Sequence, residues 1–286
     1  MWMRRVAEFF NLLPCPRCGE GDGSGCGLLC PECRAELPLL PADAPHCPGC
    51  GGLPDGLLAM CRACMSCEDR PWQDAATVME YRDEGALFMK RFKSGHAPEL
   101  ARPLGFLAAE KIRKLNWHAD LIVPVPLRFI RRWRRLYNQS ELFGERVGAE
   151  LGIPCRDLLT KLPGGDKQAG LSRAKRLRNR LRFKVKDAEA LRGKNVILVD
   201  DIFTTGSTLA AAAKALRKAE PAMIYVLSGA RTPLTLNYTK SVPRRKPAPT
   251  ASGMERLSSK CSSQLKSSST AAATTPSAPP ASSSHE

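Results

Sequence analysis

The 286-residue sequence has no apolar run approaching the roughly 18 residues that a membrane span needs. It also lacks a secretory cleavage site. Met1-Trp2-Met3-Arg4-Arg5 and the stretch from Val6 to Leu13 imitate a signal peptide, but Glu8 and Asn11 interrupt the apolar part. Cys15-Pro16-Arg17-Cys18 then stands where small residues should precede cleavage. Residues 1–14 therefore read as an amphipathic lead-in helix, and the chain as cytoplasmic. Acidic residues are scarce, 28 Asp and Glu against 44 Lys and Arg, for a net charge of +16. The apolar fraction of 43% nevertheless excludes a mostly disordered chain, and the length allows one or two domains with a real core.

The charge is uneven. Residues 1–127 hold 14 basic and 16 acidic side chains, whereas residues 128–186 hold 17 and 5. Large apolar side chains are nearly missing after Pro247, where 28 of the last 40 residues are Ser, Thr, Ala or Pro. Such a segment buries too little surface to offset its ordering entropy, so residues 234–286 are expected to form a disordered tail.

Ten of the twelve cysteines lie between Cys15 and Cys67. They form Cys15-Pro-Arg-Cys18, Cys30-Pro-Glu-Cys33, Cys47-Pro-Gly-Cys50 and a last pair within Cys61-Arg-Ala-Cys64-Met-Ser-Cys67. A C-x-x-C turn presents two thiolates on one side of a tight loop, and two such turns complete a tetrahedral four-sulfur site. Gly19 and Gly51 follow the second cysteine of their pairs and tolerate the positive φ of the turn. A disulfide framework needs an oxidising compartment, and a thioredoxin-like motif is normally single. An iron–sulfur cluster is the other alternative, but the even pairing favours zinc. The expectation is two structural zincs, held by Cys15, Cys18, Cys30 and Cys33 and by Cys47, Cys50, Cys64 and Cys67, with Cys61 as the alternative to one of the last pair. Four cysteines per site leave no open position for water, and His46, beside Cys47, is not needed as a ligand.

From residue 71 to 233 the pattern is α/β. Strands are expected at Ala75 to Tyr81, Leu121 to Pro126, Lys194 to Val199 and Met223 to Ser228. Helices are expected at Glu84 to Lys93, Pro98 to Trp117, Asn138 to Leu151 and Ser207 to Ala219. This alternation implies a doubly wound, mostly parallel sheet, behind a small double zinc-ribbon domain at residues 15–70.

Within it, Val196-Ile-Leu-Val-Asp-Asp-Ile-Phe-Thr-Thr-Gly-Ser-Thr208 is the most informative string. A buried strand brings Asp200 and Asp201 to its carboxyl end, where open α/β sheets bind ligands. The loop through Thr204, Thr205, Gly206, Ser207 and Thr208 then enters a helix whose free N–H groups, positive end and hydroxyls suit phosphate. Two carboxylates beside a phosphate site suit a sugar diol or its magnesium, so the ligand described is a phosphorylated ribose.

The string resembles the phosphoribosyl pyrophosphate (PRPP) signature of type I phosphoribosyltransferases. Together with the cysteine pairs, Arg91-Phe-Lys-Ser-Gly, Val123-Pro-Val-Pro126, the run from Arg131 to Glu141, Gln168 to Asn179 and Ala230-Arg-Thr-Pro233, it makes residues 12–233 resemble the ComF family. One position departs: Leu136 stands where the family usually has Gly. The resemblance implies that Asp200 and Asp201 bind the ribose hydroxyls of PRPP directly or through magnesium. It implies that Thr204 to Thr208 hold the 5′-phosphate and that the turn at Val125, Pro126 and Leu127 meets pyrophosphate. In that turn the prolines offer no N–H, so Val125 and Leu127 are the expected donors. The segment from Lys161 to Lys184 corresponds to a mobile flap whose cations would neutralise the leaving pyrophosphate. The implied reaction, displacement at C1 of ribose by a nitrogen nucleophile of an unidentified acceptor, needs no strong protein nucleophile, and none is evident.

A second possibility is nucleic acid. Arg131, Arg132, Trp133, Arg134 and Arg135, flanked by Phe129 and Tyr137, interleave cations with stacking surfaces as single-stranded DNA binding requires. The competence members of the family point the same way, towards DNA uptake and partner proteins of the competence machinery. A basic PRPP site or a solvated face accounts for the same charges.

Overall fold

Residues 13–20, 28–67, 70–94, 97–127, 137–162 and 182–233 are described by a computed structural model. Their central feature is a four-stranded sheet of β1 (Asp74–Glu80), β2 (Leu121–Pro124), β5 (Asn195–Phe203) and β6 (Met223–Arg231). The strand order is β1-β6-β5-β2, and each neighbouring pair is parallel. Parallel strands need crossover helices, which cover both faces and make the strands near-continuous apolar runs. Alternate residues of β5 show this: Ile197 and Val199 enter one apolar cluster, Val196 and Leu198 the other.

The first cluster is filled by α3 (Asp83–Lys93), α4 (Ala101–Lys114) and α5 (Gln139–Leu151). Phe88 and Phe92, then Leu100, Leu104 and Ile112, then Phe143 and Val147 recur at helical spacing and are fully buried. The second cluster receives Leu209, Ala212, Ala213 and Leu216 of α6 (Ser207–Arg217), together with Cys47, Cys50, Cys61 and Cys64. α3 begins with Asp83 and Glu84 and ends with Lys90, Arg91 and Lys93, which suits its dipole. α5 is stopped by Gly152 at φ +71°.

The cysteine pairs lie on short turns, two of which lead into one-turn helices, α1 (Pro31–Ala35) and α2 (Arg62–Met65). The linker between them is anchored to the body. Leu39 bridges Met79 on the free side of β1, Leu40 N–H donates to Val78 O, and Glu80 N–H donates to Pro38 O. The Lys111 amine, buried on α4, donates to Leu40 O and Pro41 O at 3.2 and 3.0 Å, and burial pulls its pKa down to about 8.

Three features differ from the sequence expectation. β5 does not end at Val199: its ladder to β6 runs on through Asp200 to Phe203, so the two acids belong to the strand. The expected long helix from Pro98 to Trp117 is a 3₁₀ turn (Pro98–Leu100) followed by α4, which ends at Lys114. The ends of the expected flap are strands, β3 (Leu159–Leu162) and β4 (Arg182–Val185), paired antiparallel from Leu159↔Val185 to Leu162↔Arg182. The flap's interior, residues 1–12 of the expected lead-in helix and the tail lie outside the described residues, and Leu13 and Pro14 are not helical.

Candidate ribose-phosphate site and four-cysteine centres

Asp200 and Asp201 are reached from two helices. Ser140, in the first turn of α5, donates from Oγ to Asp200 Oδ1 at 2.9 Å, and the same oxygen accepts Asp201 N–H at 2.9 Å. Lys93, at the end of α3, places Nζ 2.8 Å from Asp201 Oδ2. Burial, then the neighbouring Asp201 charge, pushes the Asp200 carboxyl up to about 7, against the Ser140 and backbone hydrogen bonds that favour its charged form. The strand thus holds two adjacent carboxylates, one countered by a lysine and one poised near neutrality.

The loop that follows is built as expected. Gly206 adopts φ +75° and caps α6, whose first N–H groups have no partner within the helix. Thr205 Oγ1 and Ser207 Oγ lie 2.7 Å apart, and Ser207 N–H faces Thr205 Oγ1 at 3.4 Å. Thr204 and Thr205 are exposed, and Thr208 lies in the first turn of α6. A Cβ at residue 206 would come within 2.6 Å of Arg70 Nη1 and 2.7 Å of Phe203 Cζ, so glycine is required there for space as well as conformation.

The turn after β2 needs a correction. Val125 N–H is not available to a ligand, because it donates to Val199 O at 2.9 Å and prolongs the β2–β5 ladder. Val125 O in turn accepts Asn138 Nδ2 at 3.3 Å. Of the two expected donors, Leu127 is the one that remains, beside a half-buried Pro126. Arg131, Arg132, Trp133, Arg134 and Arg135 lie outside the described residues.

Two cysteine quartets form. Cys15, Cys18, Cys30 and Cys33 are one, and Cys47, Cys50, Cys61 and Cys64 the other, with all sulfurs of a quartet within 4.8 Å of one another. A tetrahedral zinc with Zn–S of about 2.3 Å implies sulfurs about 3.8 Å apart. Cys18 and Cys30 are separated by 3.9 Å and Cys50 and Cys61 by 3.7 Å, so the donor sets fit structural zinc. Hydrogen bonding from Cys50 and then Cys64 holds Cys47 as a thiolate, far below the usual thiol range. The expected Cys67 is replaced by Cys61. In sequence, the loop from Cys50 to Cys61 has 10 residues, close to the 11 between Cys18 and Cys30, whereas pairing through Cys64 and Cys67 needs 13. That matching of loop lengths, with a one-turn helix starting at each second pair, was the overlooked signal. His46 meets Asp74 at 2.9 Å rather than a sulfur.

Three residues that motif reading did not single out complete the region. Arg231, the last residue of β6, directs Nη2 to Cys61 Sγ at 3.6 Å. Arg70 directs Nη2 to Cys64 Sγ at 3.7 Å and Nη1 to Thr205 O at 3.3 Å. Thr77 joins Cys50 O at 2.9 Å to Ser228 Oγ at 2.6 Å. The second quartet therefore rests on β1 and β6 and beside the loop from Thr204 to Thr208.

Residues 95–232 match the family model of the phosphoribosyl transferase domain. The parallel sheet with its acid pair and glycine-capped helix thus has the type I phosphoribosyltransferase fold, carried behind two four-cysteine groups of zinc-ribbon type. Competence protein F of Haemophilus influenzae is 30% identical over 222 residues, covering 74% of this chain and 94% of that protein. DNA utilization protein YhgH of Salmonella typhi is 31% identical over 196 residues, covering 65% and 84%. Competence protein ComFC of Bacillus subtilis is 30% identical over 194 residues, covering 66% and 77%. The chain belongs to the ComF family. No helix among the described residues is long and apolar enough to cross a membrane.

Proposed function

We propose that the chain binds PRPP with magnesium at the carboxyl end of β5 and transfers its phosphoribosyl group to a nitrogen acceptor. The observation that carries this reading is the continuous unit of Asp200, Asp201 and a Gly206-capped α6 on one strand–loop–helix. The carboxylates supply hard oxygen donors for magnesium or acceptors for a ribose diol. The helix end and the Thr205 and Ser207 hydroxyls suit a phosphate monoester. Bound magnesium would draw charge from the departing pyrophosphate. Lys93, with Nζ 2.8 Å from Asp201 Oδ2, orients that carboxylate. Calorimetry should show PRPP binding that needs magnesium and is lost when Asp200→Asn and Asp201→Asn are combined. Undiminished binding by the double variant would remove this assignment.

The names of the relatives, which concern competence and DNA utilization, favour a second role in DNA uptake, with partner proteins of that machinery. Here the cluster Arg131, Arg132, Trp133, Arg134 and Arg135 binds single-stranded DNA. Changing its four arginines to alanine should weaken binding and flatten its dependence on salt. Absence of single-strand binding by the unaltered chain at low salt would end this reading.

A further inference from the structure

We infer that Arg70 is a positioning residue that couples the second cysteine quartet to the phosphate loop, so that metal at the quartet sets the affinity of the loop for a sugar phosphate. The inference rests on the ribose-phosphate reading above and adds to it a control by the metal centre. One guanidinium spans both sites. Its Nη2 reaches Cys64 Sγ at 3.7 Å while Nη1 reaches Thr205 O at 3.3 Å. It is clamped between two rings, 5.4 Å from the centroids of both Trp72 and Phe203, which themselves meet edge to face. Trp72 is fixed in turn by its Nε1 bond to Pro48 O, inside the Cys47–Cys50 turn. Gly206 leaves the space that Nη1 occupies.

Charge gives the coupling its direction. Four thiolates around a divalent zinc carry a net charge of −2. Arg70 and Arg231 direct one guanidinium each at two of those sulfurs. With metal bound, the thiolates hold Arg70 in place and the arginine holds the Thr205 carbonyl, fixing the entry to α6. Without metal the four sulfurs are no longer drawn together as one tetrahedral, negatively charged group, and the arm of Arg70 on Cys64 weakens. The loop then loses an anchor at the residue before its glycine. Among the described residues Arg70 Nε is buried without a hydrogen-bond partner, so the side chain is held by its two Nη contacts and the rings. By linkage, sugar phosphate at the loop must tighten metal at the quartet by the same factor.

The test uses the full chain, loaded with zinc or with cobalt, and ribose 5-phosphate and PRPP with magnesium as probes. Arg70→Met keeps the stem between the rings and removes both Nη contacts. It should still hold two metals per chain but bind both probes about tenfold or more weakly, as expected for a charge-assisted contact. Arg70→Lys, which cannot reach both partners, should not restore the affinity. In the cobalt protein, adding either probe should shift the cobalt–thiolate bands of the unaltered chain and leave those of Arg70→Met unchanged. A merely structural arginine would not produce that spectral difference. Unaltered affinity and the same spectral response in Arg70→Met overturn the coupling alone. Failure of the unaltered chain to bind either probe overturns the ribose-phosphate reading, and the coupling with it.

Discussion

Replacing Asp200 by asparagine should stabilise the protein while disabling its candidate site. The carboxyl is pushed from 3.8 to about 7 by burial and by Asp201. A group whose folded pKa is raised gives stability that is complete below its unfolded pKa and is lost as pH rises through the folded value. In the folded chain at pH 8, Asp200 therefore carries a charge that its surroundings oppose. Each pKa unit corresponds to about 1.4 kcal/mol, so a rise of about three units caps the penalty near 4 kcal/mol. The Ser140 hydroxyl and the Asp201 N–H, which favour the charged form, can still bond to an asparagine carbonyl. Loss of some strength in those bonds takes back about 1–3 kcal/mol. The net gain expected for Asp200→Asn is about 1–3 kcal/mol at pH 8, shrinking as pH falls towards 5.5. Urea unfolding of the zinc-loaded chain at the two pH values measures it. A variant that is less stable than the parent at pH 8, or whose gain is the same at both pH values, refutes the reasoning. The same titration makes binding that depends on magnesium rise through neutral pH, as Asp200 loses its proton.

Two further outcomes follow from the cysteine quartet. Cys61→Ser should lower the metal content from near two per chain to near one, while Cys67→Ser should leave it near two; mass-spectrometric metal analysis separates the cases, and the opposite pattern refutes the observed quartet. Thr77→Val fills the same volume but strips the buried Cys50 carbonyl and Ser228 hydroxyl of their partner. It should cost about 1–3 kcal/mol in urea unfolding, and a neutral effect would mean that those groups find other partners.

The sheet was legible because its signals are local. Apolar strands such as Leu121–Val123 and Val196–Val199 alternate with helices of clear period, and the acid–Thr–Gly string marks one strand end by its chemistry. The extension of β5 to Phe203 was not legible, since pairing with Ala230 and Arg231 decides it. For the same reason Val125 looked like a free donor: its partner, the Val199 carbonyl, comes from a strand 74 residues later. Overlapping C-x-x-C choices around Cys64 could not be separated by spacing within the motif, only by comparing loops between motifs. Arg70 gave no signal at all. It stands alone between the cysteines and the first strand, and its importance arises from what the fold places on either side of it. Lys93 and Arg231 lay inside quoted motifs without a role until Asp201 and Cys61 were seen beside them.

The pairing of β1 with β6 has a consequence for the order in which the molecule can be made. Thr77, whose hydroxyl already reaches Cys50 O, waits for Ser228, 151 positions downstream, for its second partner. The second quartet is complete in the nascent chain once Cys64 has emerged, yet Arg231, which lies over Cys61, arrives at the very end of the last strand. During synthesis the quartet is thus open to solvent for most of the chain's emergence. It is enclosed only when β6 slides between β1 and β5. Filling the centre first and closing it afterwards is the sequence of events this topology permits without reopening the sheet. A chain truncated before Met223 would leave the centre without Arg231 and the first strand without its neighbour.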